Sequence, residues 1–207
     1  MPRITDLKPQ TRRTDRYNLY LDGSYKFPVS ANTVLAAGLH VGLEITEDEL
    51  LKVQEVAEVG NAHDKALNYL DLRCRSTKEI RDYLYRKDFE PHVIQAVVER
   101  LTRAGLLNDE EFARAWIRDR LLLKPKSKRA LSAELFAKGI SRETADLILS
   151  ELDIDDELSA LSDSLDRRLR QSKYASREND DKLIAALARE GYKYSDIKNC
   201  LQQRDDT

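Results

Sequence analysis

The apolar positions of this chain follow a helical period over most of its length, and from residue 79 onward one pattern recurs. Three stretches align without gaps over 23 residues, and their starts are 51 and 52 residues apart. They are Glu79–Leu101, Ala130–Leu152 and Lys182–Arg204. Each opens with an apolar pair four residues apart, which puts both side chains on one face of a helix. These pairs are Ile80 with Leu84, Leu131 with Leu135, and Leu183 with Leu187. The pattern predicts one helix–turn–helix unit in three copies.

The turn inside each copy carries its own signal. Gly139 and Gly191 stand where a helix ends in a left-handed residue, and Asp88 fills that position in the first copy. Pro91 suits the first turn of the helix that follows. Another amphipathic helix precedes each copy, over residues 62–73, 109–122 and 156–170. We therefore expect three tandem three-helix repeats. Because such repeats contact mainly their sequence neighbours, we also expect an elongated, curved body.

The N-terminal part of the chain has a different pattern, in which side chains alternate with period two over residues 17–21 and 25–29. Between these runs, Asp22 and Gly23 suit the positive φ angles of a tight hairpin turn. The sequence predicts a β-hairpin over roughly residues 15–29.

Two helices follow the hairpin. Ser30 caps a short helix, and Gly38 ends it. Thr46 and Glu49 form a capping box, which begins a helix that continues to about Val59. The expected fold class is mainly α, with a small N-terminal unit of β-hairpin and helix before the three repeats. The expected boundaries are 1–60 for that unit and 61–107, 108–153 and 154–207 for the repeats.

Composition limits the class of protein more than its activity. The chain of 207 residues is 41% hydrophobic and 35% charged, which suits a folded protein, and its net charge of −2 favours no particular partner. Cys74 and Cys200 lie far apart without metal-ligand spacing, so a reducing compartment fits best. The first residues lack the apolar core of a signal peptide, and no apolar run is long enough to span a membrane. We expect a soluble, cytoplasmic protein.

Residue patterns that carry catalysis do not occur. His40, His63 and His92 have no Cys or His at ligand spacing. There is no phosphate-binding loop, nucleophile elbow or kinase signature. A solvated helix start explains the acidic residues between Glu151 and Asp166 better than paired catalytic carboxylates do. We expect neither enzymatic activity nor a metal or other cofactor.

Clusters of basic residues are the strongest functional signal. The densest cluster lies within twelve residues that hold one acid, and it consists of Arg118, Arg120, Lys124, Lys126, Lys128 and Arg129. The set of the first copy is Arg73, Arg75, Lys78 and Arg81, with Arg86 and Lys87 beyond them. The set of the third copy is Arg167, Arg168, Arg170 and Lys173, with Arg177 beyond them. All three sets surround the connector between the first and second helices of a copy. Regular stacking of the copies would align them in a stripe that contacts DNA phosphates or the surface of a protein–DNA filament.

Two simpler roles for these charges stay open. Basic residues near a helix C-terminus also satisfy the helix dipole, and a charge-balanced surface can serve solubility alone. However, residues 44–58 and 151–166 carry a strong acidic excess, so acidic and basic surfaces are separated along the chain. Such separation suits a mixed partner of protein and nucleic acid.

The aromatic residues give a weaker signal. Trp116 and Phe112 are four residues apart, and we expect them in the core rather than as a stacking platform. Tyr83 and Tyr85 flank Leu84, so at least one of them points away from the Leu84 face.

Five stretches have a more specific pattern than periodicity alone. They are Ala66–Leu70 (ALNYL), Arg75–Ile80 (RSTKEI), Leu84–Phe89 (LYRKDF), Val97–Leu101 (VVERL) and Gly105–Ala113 (GLLNDEEFA). Within them, Ser76 and Glu79 form a capping box, and Asn108 or Asp109 caps the next helix. These stretches resemble the RecX family. The resemblance covers essentially the whole chain, although the third copy departs from it in having Glu190 and Arg204 where Lys and Leu are expected.

The resemblance implies a modulator, and more specifically an inhibitor, of the RecA recombinase. Members of the family have tandem three-helix repeats, lodge in the groove of the RecA filament on single-stranded DNA, and restrain its ATPase and strand exchange. The resemblance brings no catalytic residue. The partners it implies are the RecA filament and single-stranded DNA, with double-stranded DNA as a second candidate. It implies no membrane, and we expect a monomer.

Two other classes of function stay open. A helix-turn-helix transcription factor would need a basic, polar recognition helix, but Pro91–Arg103 and Arg142–Leu152 are mixed in charge and largely apolar. A helical scaffold that contacts only proteins would not show the steep salt dependence of DNA binding.

Overall fold

The computed structural model shows a mainly α-helical chain with a small antiparallel sheet in its N-terminal part, and it describes residues 1–11, 13–123, 126–171, 174 and 179–205. The strands are β1 (Ile4–Gln10), β2 (Arg13–Leu21) and β3 (Ser24–Ser30). The first helices are α1 (Ala31–Ala36), α2 (Glu47–Leu70), α3 (Thr77–Tyr85), α4 (Pro91–Arg103) and α5 (Asp109–Leu123). The remaining helices are α6 (Lys128–Ala137), α7 (Arg142–Ser150), α8 (Ile154–Leu169), α9 (Asp180–Arg189) and α10 (Tyr194–Asp205). The expected fold class is confirmed.

The predicted hairpin is present as β2 and β3. Asp22 and Gly23 have φ angles of 48° and 79°, as a tight hairpin turn requires. The prediction missed β1, which pairs with β2 on the side opposite β3. In β1 only Ile4 is fully buried, and Pro9 breaks the alternation, so this edge strand has almost no periodic signal.

Local hydrogen bonds confirm the predicted helix starts. The Ser30 hydroxyl accepts a hydrogen bond from the Thr33 backbone N–H at the start of α1. Thr46 and Glu49 form the expected capping box at the start of α2. The predicted end of α2 near residue 59 was wrong, because the helix continues through Gly60 to Leu70.

The physical reason is that α2 packs on both sides of Gly60. A helical glycine costs only about 1 kcal/mol relative to alanine. Burial of one helix face on both sides of Gly60 offsets that cost, and the buried residues are Val53, Ala57, Ala62 and Ala66. The two helices expected over 46–59 and 62–73 are therefore one. The expected boundary at residue 60 lies inside it, and the division into repeating units stays a prediction.

Each predicted helix–turn–helix copy is present, as α3 with α4, α6 with α7, and α9 with α10. The six apolar residues that open the copies are all fully buried: Ile80, Leu84, Leu131, Leu135, Leu183 and Leu187. The predicted left-handed positions are confirmed as well, with φ angles of 62° at Asp88, 83° at Gly139 and 97° at Gly191.

The chain divides into two compact units, each with its own cores. One comprises Met1–Cys74 and Ile80–Leu107, and the other comprises Arg75–Glu79 and the chain from Asn108 onward. The expected elongated body stays a prediction that small-angle scattering would test. None of the helices that the structure describes is long and apolar enough to cross a membrane.

Two close approaches inside the second unit explain why glycine occupies two of the three turns. A Cβ on Gly139 would lie 2.5 Å from the Cβ of Lys78, and a Cβ on Gly191 would lie 2.9 Å from the Cβ of Arg129. Lys78 and Arg129 are equivalent residues of successive copies, 51 residues apart. The same contact is therefore formed twice, between the start of the second helix of one copy and the turn of the next.

Candidate functional site

A basic groove lies in the second unit, bordered by α6, α8 and α9. It encloses a hollow of about 540 Å³. Four basic side chains from separate segments line it: Lys126 from the connector before α6, Arg129 from α6, Arg167 from α8 and Arg189 from α9. We refer to these residues as the cationic groove.

Three of the four groove cations keep guanidinium groups available to a ligand. Arg129 and Arg167 are exposed, and their side chains form no hydrogen bond or ion pair with residues that the structure describes. Arg189 donates one hydrogen bond from Nε to the Ala185 carbonyl oxygen, at 3.1 Å. Within the described part of the chain, its two terminal nitrogens have no such partner. Guanidinium groups in this state can bind phosphate or carboxylate oxygens with two hydrogen bonds each.

The fourth cation, Lys126, is held by a carboxylate. Glu134 accepts hydrogen bonds from Lys126, from Arg120 Nε at 2.8 Å and from Trp116 Nε1 at 2.9 Å. Partial burial alone would raise the pKa of the Glu134 carboxyl, but these three hydrogen bonds outweigh burial and lower its pKa to about 2. Glu134 is therefore ionised at neutral pH and fixes both basic side chains.

Two cations lie close to the Trp116 ring beside this carboxylate. The Arg120 guanidinium is 4.2 Å from the ring centroid and the Lys138 ammonium is 4.6 Å from it. Trp116 also stacks on Phe112 and packs against the buried core of α5, α6 and α7, as the sequence predicts. It is the only tryptophan in the chain, so its fluorescence reports on this cluster.

A second carboxylate, Glu190, holds a second cation at the other side of the groove. It forms an ion pair with Arg168 and accepts a 2.6 Å hydrogen bond from the Ser164 hydroxyl. The Arg168 guanidinium also lies 5.5 Å from the Tyr174 ring centroid. Arg168 is thus engaged inside the fold, although the sequence grouped it with Arg167 and Arg170.

The remaining predicted residues of the second unit lie outside the groove. Lys128 donates to the Leu152 carbonyl oxygen at 2.7 Å, and Lys78 donates to the Ala137 carbonyl oxygen at 3.1 Å. Arg75 is half-buried. The side chains of Arg118 and Arg170 are exposed and form no hydrogen bond or ion pair with described residues.

Two predicted residues belong to the first unit. Arg73 donates to the Cys74 carbonyl oxygen at 2.8 Å, and Arg81 donates to Gln95 Oε1 at 2.6 Å. Lys124 and Lys173, together with Arg177, lie outside the described residues. A single stripe through all three basic sets therefore stays a prediction.

Sequence reasoning missed Arg189 as a groove residue. Its position in the last turn of α9 is where a cation is expected for the helix dipole alone, so nothing distinguished it. A usable signal was its place directly before Glu190 and Gly191, in the turn that packs against the preceding copy. No group of three His, Cys, Asp or Glu side chains that could hold a metal ion occurs among the residues in the described ranges.

Comparison with known proteins identifies the family. A curated relative from Bacillus subtilis (strain 168), named regulatory protein RecX, is 32% identical over 204 residues, which are 98% of this chain and 77% of the relative. The regulatory protein RecX of Streptococcus gordonii is 32% identical over 203 residues, again 98% of this chain and 77% of the relative. The chain belongs to the RecX family. Three family profiles match as well: the RecX N-terminal domain at residues 2–46, the first three-helix domain of RecX at 62–101 and the second at 108–149.

Solved RecX structures share the fold. The crystal structure of a regulatory protein RecX superimposes with a TM-score of 0.76, covering 96% of this chain and 100% of that chain at 23% identity. RecX from Lactobacillus salivarius superimposes with a TM-score of 0.64, covering 72% of this chain and 98% of that chain at 22% identity.

Proposed function

We propose that this RecX family protein is a non-enzymatic, cytoplasmic inhibitor of the RecA recombinase, and that it binds the RecA filament on single-stranded DNA. In this proposal the cationic groove contacts DNA phosphates. One observation carries it: Arg129, Arg167 and Arg189 converge on one hollow without an acidic partner among the described residues. The relatives' name, regulatory protein RecX, supports a regulatory role.

The cluster geometry adds physical support. Glu134 and Glu190 neutralise Lys126, Arg120 and Arg168 only in part, because two carboxylates face three cations. The groove therefore keeps an excess of positive charge that attracts polyanions. Cations that meet phosphates release condensed counterions, so binding should weaken steeply with salt.

The test is the ATPase of RecA on single-stranded DNA across a salt series. We expect the wild-type chain to inhibit, and the variant Arg129→Ala/Arg167→Ala/Arg189→Ala to inhibit less. Its log–log salt slope for binding single-stranded DNA should flatten by about 2, since each lost phosphate contact removes about 0.7.

The matched control is Arg103→Ala/Arg142→Ala/Lys198→Ala, which removes the same charge from exposed positions outside the groove. It should behave like the wild type. Equal loss in both triple variants would mean that net charge, rather than the groove, determines binding. A wild-type chain without effect on the filament would contradict the proposed function itself.

A further inference from the structure

The C-terminal end of α5 exposes two adjacent leucines. Leu122 is 77% exposed and Leu123 is 81% exposed, whereas Ile117 on the same helix is buried. Leu122 lies four residues after Arg118, on the face of α5 that points away from the core. The core therefore does not require either leucine. We refer to Leu122 and Leu123 as the leucine ridge.

An apolar hollow lies on one side of the ridge, between α5 and α7. Its volume is about 530 Å³. Five aliphatic side chains line it: Ile117, Leu121, Leu122, Ile148 and Leu152. A hollow of this kind accepts an apolar side chain, and burial of aliphatic surface there would be favourable. Among the described residues that line it there is no aromatic ring on which an unpaired base could stack.

The rim of this hollow is charged in an uneven way. Arg114 forms ion pairs with both Glu110 and Glu151, so these groups already satisfy each other. Arg118 stands on the same rim without a hydrogen bond or ion pair to any described residue. A ligand that fills the hollow would therefore find one cation free to bind a carboxylate.

A second hollow, of about 580 Å³, lies on the other side of the ridge, against α8. Its charged lining is mixed, with Asp163 and Asp166 beside Arg167 and Arg170. The Arg170 side chain has no hydrogen bond or ion pair to any described residue. Arg167 lines both this hollow and the cationic groove. The ridge and the groove are thus neighbouring surfaces of one unit, the first apolar with a rim of mixed charge and the second polar and basic.

We propose that the leucine ridge docks a protein segment that inserts apolar side chains into the two hollows and places a carboxylate on Arg118. Apolar anchors surrounded by charged contacts are the usual arrangement of a protein interface. This inference rests on the proposed function: the segment belongs to the recombinase of the filament, and the cationic groove binds the DNA. The two partners of the filament are bound by two different surfaces.

The test separates binding to bare DNA from action on the filament. The variant Leu122→Ser/Leu123→Ser changes only exposed side chains, so its unfolding transition should match that of the wild type. We expect its affinity for single-stranded oligothymidylate to stay within about twofold of wild type, and its inhibition of the RecA ATPase to weaken on the order of 10-fold. The matched control is Leu147→Ser, an exposed leucine of α7 that lines neither hollow.

A charge reversal provides an independent variant. Arg118→Glu should weaken filament inhibition without shifting the unfolding transition, while Arg142→Glu, on an exposed side chain of α7, should not weaken it. If both Leu122→Ser/Leu123→Ser and Arg118→Glu inhibit like the wild type, the ridge proposal is wrong while the proposed function stands. Equal loss of DNA affinity and filament inhibition in the leucine variant would also overturn it, because the ridge would then belong to the DNA site.

Two further outcomes are distinct. If the wild-type chain binds vesicles of phosphatidylcholine and phosphatidylglycerol and the leucine variant does not, the ridge is a lipid-binding surface and the proposal fails. If the wild-type chain does not inhibit RecA at all, the proposed function fails and the ridge proposal fails with it.

Discussion

The side-chain hydroxyl of Ser76 donates a 2.7 Å hydrogen bond to the backbone carbonyl oxygen of Lys138. The equivalent residues of the next copies repeat this contact, since the Ser127 hydroxyl donates a 2.5 Å hydrogen bond to the Glu190 carbonyl oxygen. Each serine also accepts a hydrogen bond at the start of its own helix. One side chain therefore caps a helix and joins it to the turn that follows in the next copy.

The double role of Ser127 predicts a larger cost than capping alone. Ser127→Ala should lower the free energy of unfolding by about 2–3 kcal/mol, because it removes the cap and leaves a carbonyl oxygen without its donor. Ser141 caps α7 and is exposed, so Ser141→Ala should cost only about 1 kcal/mol. Urea denaturation measures both. Equal losses would show that the bond to Glu190 adds nothing.

The close approach at Gly139 predicts a packing cost beyond backbone strain. Gly139→Ala places a methyl group 2.5 Å from the Lys78 Cβ, and the φ angle there is +83°. Gly105 has a φ angle of +70° with open space around it, so Gly105→Ala measures strain alone, about 1–2 kcal/mol. Chemical denaturation should show the larger loss for Gly139→Ala. If the two variants lose the same stability, α3 with Lys78 can move away from the added methyl group at no measurable cost in free energy.

Glu134 predicts a pH dependence of stability. Its pKa in the folded protein is about 2, below its ordinary value of 4.5, so the unfolded chain binds its proton at higher pH than the folded one. The stability that Glu134 contributes is complete above about pH 4.5 and is lost as the pH falls towards 2. The difference in unfolding free energy between wild type and Glu134→Gln should therefore shrink on acidification. Denaturation followed by Trp116 fluorescence measures it.

Glu143→Gln is the control for this pH series, because Glu143 is an exposed glutamate in the first turn of α7. This variant measures how much of the pH dependence follows from any glutamate-to-glutamine change at an exposed position. A constant difference between wild type and Glu134→Gln across the series would mean that the Glu134 cluster does not lower its pKa.

Two neighbouring cations of α6 should differ in their effect on DNA binding. The Lys128 ammonium is tied to the Leu152 carbonyl oxygen, whereas Arg129 faces the groove without a described partner. Arg129→Ala should weaken binding of single-stranded DNA and reduce the salt slope by about 0.7. Lys128→Ala should change the slope less and stability more. Fluorescence anisotropy over a salt series measures both affinities. A larger effect of Lys128→Ala than of Arg129→Ala would place the DNA contact on the other face of α6.

Much of the fold was predictable because local and long-range signals agree. The same signals recur in register in the three copies: the apolar pairs, the left-handed turn residues and the caps. The helices predicted for one copy are therefore supported by the other two. β1 was not predictable in this way. Its strand conformation is stabilised by pairing with β2, whereas Pro9 and the polar residues around it interrupt the alternation of apolar side chains that would indicate a strand. The continuity of α2 was missed because Gly60 is tolerated only through packing, which the local sequence pattern does not reveal.

The candidate site was predictable only as a set of cations. The sequence places Arg129 and Arg167 in basic clusters, but it does not show which neighbours are neutralised. That depends on carboxylates distant along the chain, such as Glu190, which is 22 residues from Arg168. Nothing in the sequence marks Leu122 and Leu123 as exposed, because an apolar residue in a helix is ordinarily expected to face the core.

Asp88 limits how many copies can be linked by the contact between a helix start and the turn of the next copy. A contact in which the start of one helix fits the turn of the next copy is heterologous, and in principle such contacts add end to end without closing, as in a fibre. The first copy has Asp88 where Gly139 and Gly191 stand. By analogy with those two turns, its Cβ would lie where the start of a preceding helix would have to pack. At the other end, Asn179 and Asp181 replace the serine and the cation that form each joint. The first and third copies thus lack residues that form this joint, and duplication of the joint within the chain does not commit the protein to polymerise.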